Sequence, residues 1–574
     1  MKTLLDYLKP VARRIGWGVL IKAVGTMVEL LLPAILSHVL KVVVAGQNLQ
    51  DILFWGVVMI LCSTAAVILN IKANRMAAKV SRDFSQSVRH DLFARTLRLS
   101  AAQTDAFTIP SLESRITTDT YNIHNFVGMI LRMGIRAPIL LLGGILITLI
   151  MDAHLALVML AVLPFLFVLV TVVRRRGTPL YAQVQKSVDH MVRVVREDAQ
   201  GIRVIKALSK TEYEHRRYDK VNHALSSDEK RAGITMGMVH PIMTILMNGG
   251  IVAVVALAAG RVDAGTSDPE TVIAFMQYFT QISMAMMALS RMFVMYTKCA
   301  ASARRISEVL NAPEDLVVRS EADYPSVEST AHIEFEDVSF SYLGRKNDLE
   351  HISFKLPKGG SLGIIGATGS GKSTLIKLLL RFYDVNSGSV RIKGRDVRTI
   401  PREEFCAMFG TAMQYDFLYA DTIEENIRFG RELTHEQIEE AAITAQGHDF
   451  ITAFPDGYEH VLAQKGTNIS GGQKQRLLIA RAVASKPDIL VLDDSSSALD
   501  YKTDAALRRA LKERITDTTV VTVAQRVSSI KDCDLILVLE DGVIIGAGDH
   551  EYLLNNCTEY KEISDSQMGG AFVD

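Results

Sequence analysis

The run Gly366-Ala367-Thr368-Gly369-Ser370-Gly371-Lys372-Ser373 fits the pattern GxxxxGK[ST]. Glycines at this spacing let backbone N–H groups converge on phosphate oxygens, and a helix opening behind them adds the positive end of its dipole. Lys372 is then placed to reach the terminal phosphates of a nucleoside triphosphate, and the Ser373 hydroxyl to ligate Mg2+. Further along, the apolar residues Ile489 to Leu492 run into Asp493, a carboxylate for the same cation, with Asp494 directly behind it. Together these residues support cleavage of ATP by water at a site built on Mg2+.

The elements that must position them are legible around them. SLGII precedes the glycine-rich run as a strand, and STLIKLLLRF follows it as a helix. From residue 331 to 574, β-rich runs (HIEFEDVSFSY, DILVLD, DLILVLEDGVIIG) alternate with helical patterns, which predicts an α/β domain with a largely parallel sheet. Ahead of it, residues 311–330 (NAPEDLVVRSEADYPSVEST) are polar, carry two prolines and read as a linker.

Residues 1–310 are different. Six apolar stretches, near 16–44, 53–71, 126–150, 153–173, 233–260 and 269–296, each reach the roughly 20 residues that cross about 30 Å of hydrocarbon as a helix. The short connections between them (AGQNLQD, MDAH, GRVDAGTSDPE) carry a single basic residue, Arg261. The long ones, about 72–125 and 174–232, are rich in Lys and Arg. The positive-inside rule places both termini and both long connections in the cytoplasm, where the spanning helices are expected to continue beyond the bilayer.

Composition agrees with a membrane protein. Half of the 574 residues (49%) are hydrophobic, and mean hydropathy is +0.19. Lys plus Arg and Asp plus Glu both number 63, so net charge gives no case for nucleic acid as a partner. The five cysteines (Cys62, Cys299, Cys406, Cys533, Cys557) form no CxxC pair, which argues against a zinc site or a disulfide framework. No cleavable signal peptide is expected from the basic, amphipathic start MKTLLDYLKPVARRIGW.

Asn468-Ile469-Ser470-Gly471-Gly472-Gln473-Lys474-Gln475-Arg476 closely resembles the signature motif of ABC transporters. Six spans followed by one such domain look like an ABC exporter half-transporter: a membrane bundle of six transmembrane helices, then an α/β P-loop ATPase domain. The resemblance implies that Tyr342 stacks on adenine and that Gly366, Thr368, Gly369, Ser370, Gly371, Lys372, Ser373 and Thr374 hold the phosphates. It also implies that Ser373, Gln414 and Asp493 hold Mg2+, with Gln414 sensing the γ-phosphate, and that Ser497-Ala498-Leu499-Asp500 form the D-loop. Ser470, Gly471, Gly472 and Gln473 would contact ATP held by a second half-transporter, because the family sandwiches each nucleotide between the P-loop of one domain and the signature of the other. Glu113–Asp119 and Gly201–Ala207 lie where the family places its coupling helices.

Two departures shape the finer reading. Where the family carries a glutamate that polarises the attacking water, this chain has Asp494, shorter by one methylene or roughly 1–1.5 Å. A misplacement of that order costs about 10²-fold in rate. The switch histidine is replaced by Gln525, which donates a hydrogen bond but carries no charge. A third difference precedes the signature, where Gln464-Lys465 replaces the common Glu-Arg pair. With the signature intact, the pattern resembles the degenerate-site subunit of a heterodimeric multidrug-type exporter, whose partner supplies the glutamate and the histidine. A homodimeric exporter with weak ATPase, and an importing or regulatory ATP-binding subunit on the same fold, are the alternatives.

The membrane half says less about cargo. Lys22 and Glu29 share a helix face in the first span, where they contact cargo, or snorkel, or neutralise each other. Arg132 and Arg136 are expected near the cytoplasmic end of the third span. The methionines and aromatics of the last span (Phe275, Met276, Tyr278, Phe279, Met284, Met286, Met287, Met292, Met295) suit helix packing for the most part, and Gln277 and Gln281 suit a polar strip. Amphipathic or hydrophobic compounds, lipids or peptides are the expected cargo. No peptidase domain precedes the first span, so exporters that process leader peptides are not expected. The bilayer expected is a bacterial plasma membrane.

Overall fold

The computed structural model describes residues 2–44, 49–263, 269–414, 417–495 and 497–568. The chain divides into two compact units, residues 1–98 with 108–312, and residues 99–107 with 313–574.

The first unit is helical. Its long helices are Ala12–His38, Leu49–Thr96, Thr120–Met151, Ala153–Ala207, Thr211–Gly237, Val239–Asp263 and Pro269–Leu310. Leu49–Thr96 has 48 residues and Ala153–Ala207 has 55. At about 1.5 Å per residue they rise roughly 72 and 82 Å, far more than a bilayer's hydrocarbon core. Among the described residues, five helical segments are long and apolar enough to cross a membrane; the fourth expected span opens the Ala153–Ala207 helix, where the apolar stretch, Ala153–Leu169, is shorter. The expected connections at 45–51 and 260–270 fall partly outside the described residues, at 45–48 and 264–268. The remaining short one is a tight turn in which the Asp152 carboxylate caps the next helix, accepting from the His154 and Leu155 N–H groups (3.0 and 3.3 Å).

Polar groups in this unit pair across helices. Lys22 is buried and donates to the carboxamide oxygens of Asn70 and Asn74 (2.7 and 3.1 Å). Glu29 is engaged by both arms of Arg136 (2.5 and 3.3 Å). The two first-span charges therefore do not bond to each other; each bonds to a different helix. Phe275, Tyr278 and Phe279 are buried, and the Tyr278 hydroxyl donates to the Leu30 carbonyl (2.8 Å), so these last-span aromatics pack helices together. Gln277 is exposed, and Gln281 holds a buried, unpaired amide oxygen.

Glu113–Asp119 differs from the coupling-helix expectation. It closes the helix Ile109–Ser114 and continues as a π-type turn, Arg115–Asp119, within the helical unit. Asp119 is fully buried and accepts from Ser302 (2.7 Å) and Arg305, while Arg115 pairs with Glu308 (3.1 Å). The part of this connection that belongs with the second unit is Leu99–Phe107. Its helix, Ala101–Phe107, starts at a reciprocal cap between Ser100 and Gln103. It is tied down by Ser100 to Asp315 (2.5 Å), Gln103 to the Pro313 carbonyl (2.6 Å) and Tyr383 to Asp105 (2.6 Å). The cap signal S-x-x-Q is in the sequence.

The second unit carries two sheets. Strands β1 (Ala331–Phe340), β2 (Leu349–Pro357), β3 (Ser361–Gly366), β4 (Ser387–Ile392) and β5 (Arg395–Asp396) are followed by β6 (Phe409–Ala412), β7 (Ile489–Asp493), β8 (Thr519–Val523), β9 (Leu535–Glu540) and β10 (Val543–Gly548). One sheet runs β2-β1-β4-β5 and is antiparallel; the other runs β10-β9-β3-β8-β7-β6 and is parallel except at β10. The residues of β7 are all buried, as a parallel strand covered on both faces requires. Register places Gly366 beside Leu539 and Asp493 beside Val523, so the carboxyl ends of β3, β7 and β8 come together. Ligands of open α/β sheets bind at such strand ends. The segment read as a linker is bonded along this unit, for example through the Arg319 N–H to the Arg398 carbonyl (2.7 Å) and Arg398 over the Tyr324 ring (4.2 Å).

Candidate nucleotide site

A cleft of about 220 Å³ opens at those strand ends, lined by Asp348, Thr368, Gly369, Gly371, Lys372, Ser373, Thr374, Gln414, Asp493, Asp494, Val523, Ala524 and Gln525. The loop after β3 is shaped by its glycines. At Gly366 (φ +156°) a Cβ would stand 2.1 Å from the Leu539 carbonyl oxygen; at Gly371 (φ +101°) it would stand 2.7 Å from Leu349. The helix Lys372–Leu379 starts directly behind, with its first N–H groups uncapped by a side chain.

Lys372 folds its ammonium onto the loop's own carbonyls, Gly366 (2.8 Å) and Ala367 (2.7 Å). Burial lowers its pKa, against the opposing pull of Asp493 and Asp494. Asp493 is buried at the end of β7, and burial, reinforced by the neighbouring Asp494, raises its carboxyl above the usual range. Both groups therefore favour an incoming polyphosphate with its cation: phosphate oxygens would replace the carbonyls at Lys372, and Mg2+ would offset the acidic pair. Ser373, Gln414 and Asp493 line the same cleft, an all-oxygen set that suits a hard divalent cation completed by phosphate and water.

Asp494 sits at φ +50°, a left-handed backbone that Asp tolerates better than most residues. Its Oδ2 accepts from Gln525 Nε2 (3.0 Å) and Gln414 Nε2 (3.3 Å). Burial raises its pKa, with the Gln414 bond the first opposing influence.

Tyr342 stands at the rim. Its hydroxyl lies 3.4 Å from Thr374, and its ring packs edge-on against Phe340 and Tyr383. Asp348, which sequence reasoning missed, accepts from the Tyr342 N–H (2.9 Å) and lines the cleft. A carboxylate six residues after an aromatic carries no motif that would have found it.

The signature residues are not brought to this cleft. Ser470 caps the helix Gly471–Val483, its Oγ accepting from the Gln473 N–H (3.3 Å) while Gln473 Oε1 accepts from the Ser470 N–H (2.9 Å). Gln473 thus spends its amide oxygen on the cap, and the exposed Gly471 and half-buried Gly472 open the helix at this end. A Cβ at Gly472 would stand 3.2 Å from the Ala498 carbonyl, so the residue type lets the 497–500 loop approach.

Architecture and site define a membrane helical bundle joined to a P-loop ATPase. Comparison with known families agrees in both halves: residues 15–286 match the ABC transporter transmembrane region, and residues 349–497 match the ABC transporter family. The chain is 35% identical to the ABC transporter ATP-binding protein YfiB of Bacillus subtilis (strain 168), over 99% of each chain. It is 32% identical to the ABC transporter ATP-binding protein MT1311 of Mycobacterium tuberculosis, over 99% of this chain and 98% of the relative. A bacterial Atm1-family ABC exporter, solved with ATP bound, superposes with a TM-score of 0.81 at 22% identity, covering 98% of this chain and 99% of that one. The chain belongs to the ABC transporter family. It is a multi-pass membrane protein with an exporter-type fold and an ATP-hydrolysing domain, and as a half-transporter it works with a second ABC chain.

Proposed function

We propose that this chain is the degenerate-site subunit of a heterodimeric ABC exporter. Its own P-loop cleft holds ATP and Mg2+ and turns over slowly, while its signature completes the active site of a partner that carries the catalytic glutamate and switch histidine. The observation that carries this reading is the state of Asp494. Its carboxylate is shorter than the family's glutamate, and both nearby amides, Gln414 and Gln525, are bonded to it. Such a carboxylate has less reach toward a water, and its Oδ2 is already occupied by the two amides. Gln525 offers no positive charge to the phosphate. Lys372, Ser373 and Asp493 remain suited to binding, so holding nucleotide is separated from cleaving it. The basic long connections support a cytoplasmic nucleotide unit, and the bacterial relatives fit a plasma membrane. Cargo is read as amphipathic or hydrophobic.

ATP must bind the closed state of the pair more tightly than the open state, or it drives nothing. The test is steady-state ATPase activity of this chain purified alone, beside the complex captured by tagging it in its native membrane. Near-zero turnover alone, a different half-transporter in the active complex, and a rise on Asp494→Glu with Gln525→His are expected. Robust turnover by the unpaired wild-type chain would overturn the asymmetric reading.

A further inference from the structure

The segment after β8 reaches the cleft with few backbone anchors of its own. Ala524 is tied to β3 through its N–H and the Ile364 carbonyl (3.1 Å). Val527 then begins a short helix, Val527–Ile530, whose N-cap residue Arg526 makes no side-chain cap. The missing cap comes from the far end of the chain. Gln567, on the helix Thr558–Met568, accepts the Val527 N–H at its Oε1 (2.8 Å) and donates its Nε2 to the Gln525 carbonyl (2.8 Å). Among the described residues no other hydrogen bond holds those two backbone groups.

One carboxamide therefore pairs with residues i and i+2 of the segment, as a neighbouring strand would. The side chains between and beside them are committed to the site: Gln525 Nε2 to Asp494 (3.0 Å), and Arg526 over the Tyr501 ring (4.7 Å) with its Nη1 to the Leu499 carbonyl (3.5 Å). The helix that carries Gln567 is itself anchored, with Tyr560 fully buried among Ala524, Val527 and Ile530 and bonded to His550 (2.7 Å). Gln567 is exposed, so it contributes little to that packing.

We propose that Gln567 is a positioning residue for this chain's own nucleotide site: it fixes the backbone of Gln525–Val527 so that the Gln525 amide faces Asp494 and the phosphates. The inference rests on the reading of Gln525 as the residue at the switch position, and not on how fast the site hydrolyses. With both backbone groups released to water, Gln525 samples orientations in which its amide no longer meets a γ-phosphate.

The test uses the full chain in its membrane complex and an 8-azido analogue of non-hydrolysable ATP with Mg2+. Photolabelling marks the chain beside the adenine, so residence on this chain is read separately from any partner and without hydrolysis. Gln567→Leu is expected to shorten nucleotide residence about fivefold, the worth of roughly one net hydrogen bond. Gln567→Glu, which still accepts from Val527 but no longer donates, is expected to fall between. In a Gln525→Ala background Gln567→Leu is expected to have no further effect, because the group it positions is gone. An equal loss in both backgrounds, with a lowered thermal midpoint, would make Gln567 a fold residue and overturn the proposal, as would no loss in either. Fast hydrolysis by the unpaired chain, by contrast, would overturn only the degenerate-site reading.

Discussion

Gly366→Ala is expected to cost the site its nucleotide, and the reason is a distance. A Cβ at this position meets the Leu539 carbonyl oxygen at 2.1 Å, where ordinary contact begins at 3.4 Å. About 1.3 Å must therefore be found, and the obstacle is backbone: β9 pairs with both β3 and β10, so Leu539 has little room to withdraw. The displacement falls on the glycine loop, whose N–H groups are useful only while they point at one place. A shift near 1 Å costs about 10²-fold where geometry is that demanding, and overpacking of this kind costs about 1–3 kcal/mol of stability. Gly369→Ala is the control. Its φ of +88° is equally unfavourable for alanine, yet nothing lies within 4 Å of the added methyl, so it carries backbone strain of about 1–3 kcal/mol without the clash. Fluorescent ATP-analogue titration of the purified chain, with thermal unfolding alongside, separates the two. Nucleotide affinity of Gly366→Ala within threefold of wild type, or Gly369→Ala equally damaged, would refute the steric argument.

Two further outcomes follow from the same geometry. Asp493→Asn is expected to raise the thermal midpoint of the nucleotide-free protein at neutral pH while weakening Mg2+-dependent nucleotide binding; a raised carboxyl pKa stabilises at acid pH and loses that stability as pH climbs through the folded value, so the variant's advantage is expected to vanish near pH 4. In the membrane unit, Glu29→Leu or Arg136→Leu alone is expected to destabilise by about 1–2 kcal/mol in micelles, and the double variant to recover most of it, because each single change strands one ion of a close pair; additive losses by differential scanning fluorimetry would show that the pair does not interact.

What could be read from the sequence was what the chain keeps contiguous. The glycine-rich loop, the strand ending in Asp493 and the signature run from Asn468 each fall within a dozen residues, where spacing alone states the pattern. The unread features join distant positions: Glu29 with Arg136, Lys22 with Asn70 and Asn74, Gln525 with Gln567. The continuation of the spanning helices beyond the bilayer was legible, though its extent was not. Beyond the bilayer the apolar run stops, and only a weaker three-and-four periodicity carries Leu49–Thr96 onward. Glu113–Asp119 was assigned by position along a connection, but Asp119 is buried against Ser302 and Arg305. That burial depends on a partner helix some 180 residues away.

Because Leu99–Phe107 folds with residues 313–574, the ATPase unit is not a continuous stretch of chain. A gene fragment starting at 313 encodes Asp315 and Tyr383 without Ser100 and Asp105, the groups they bond. The natural cut for exchanging ATPase modules between relatives is therefore not the polar segment after residue 311. An exchange made there preserves every nucleotide motif and still mismatches the donor surface with the recipient's helix. Recombination within the family is expected to succeed only when that seven-residue helix travels with the module it packs against.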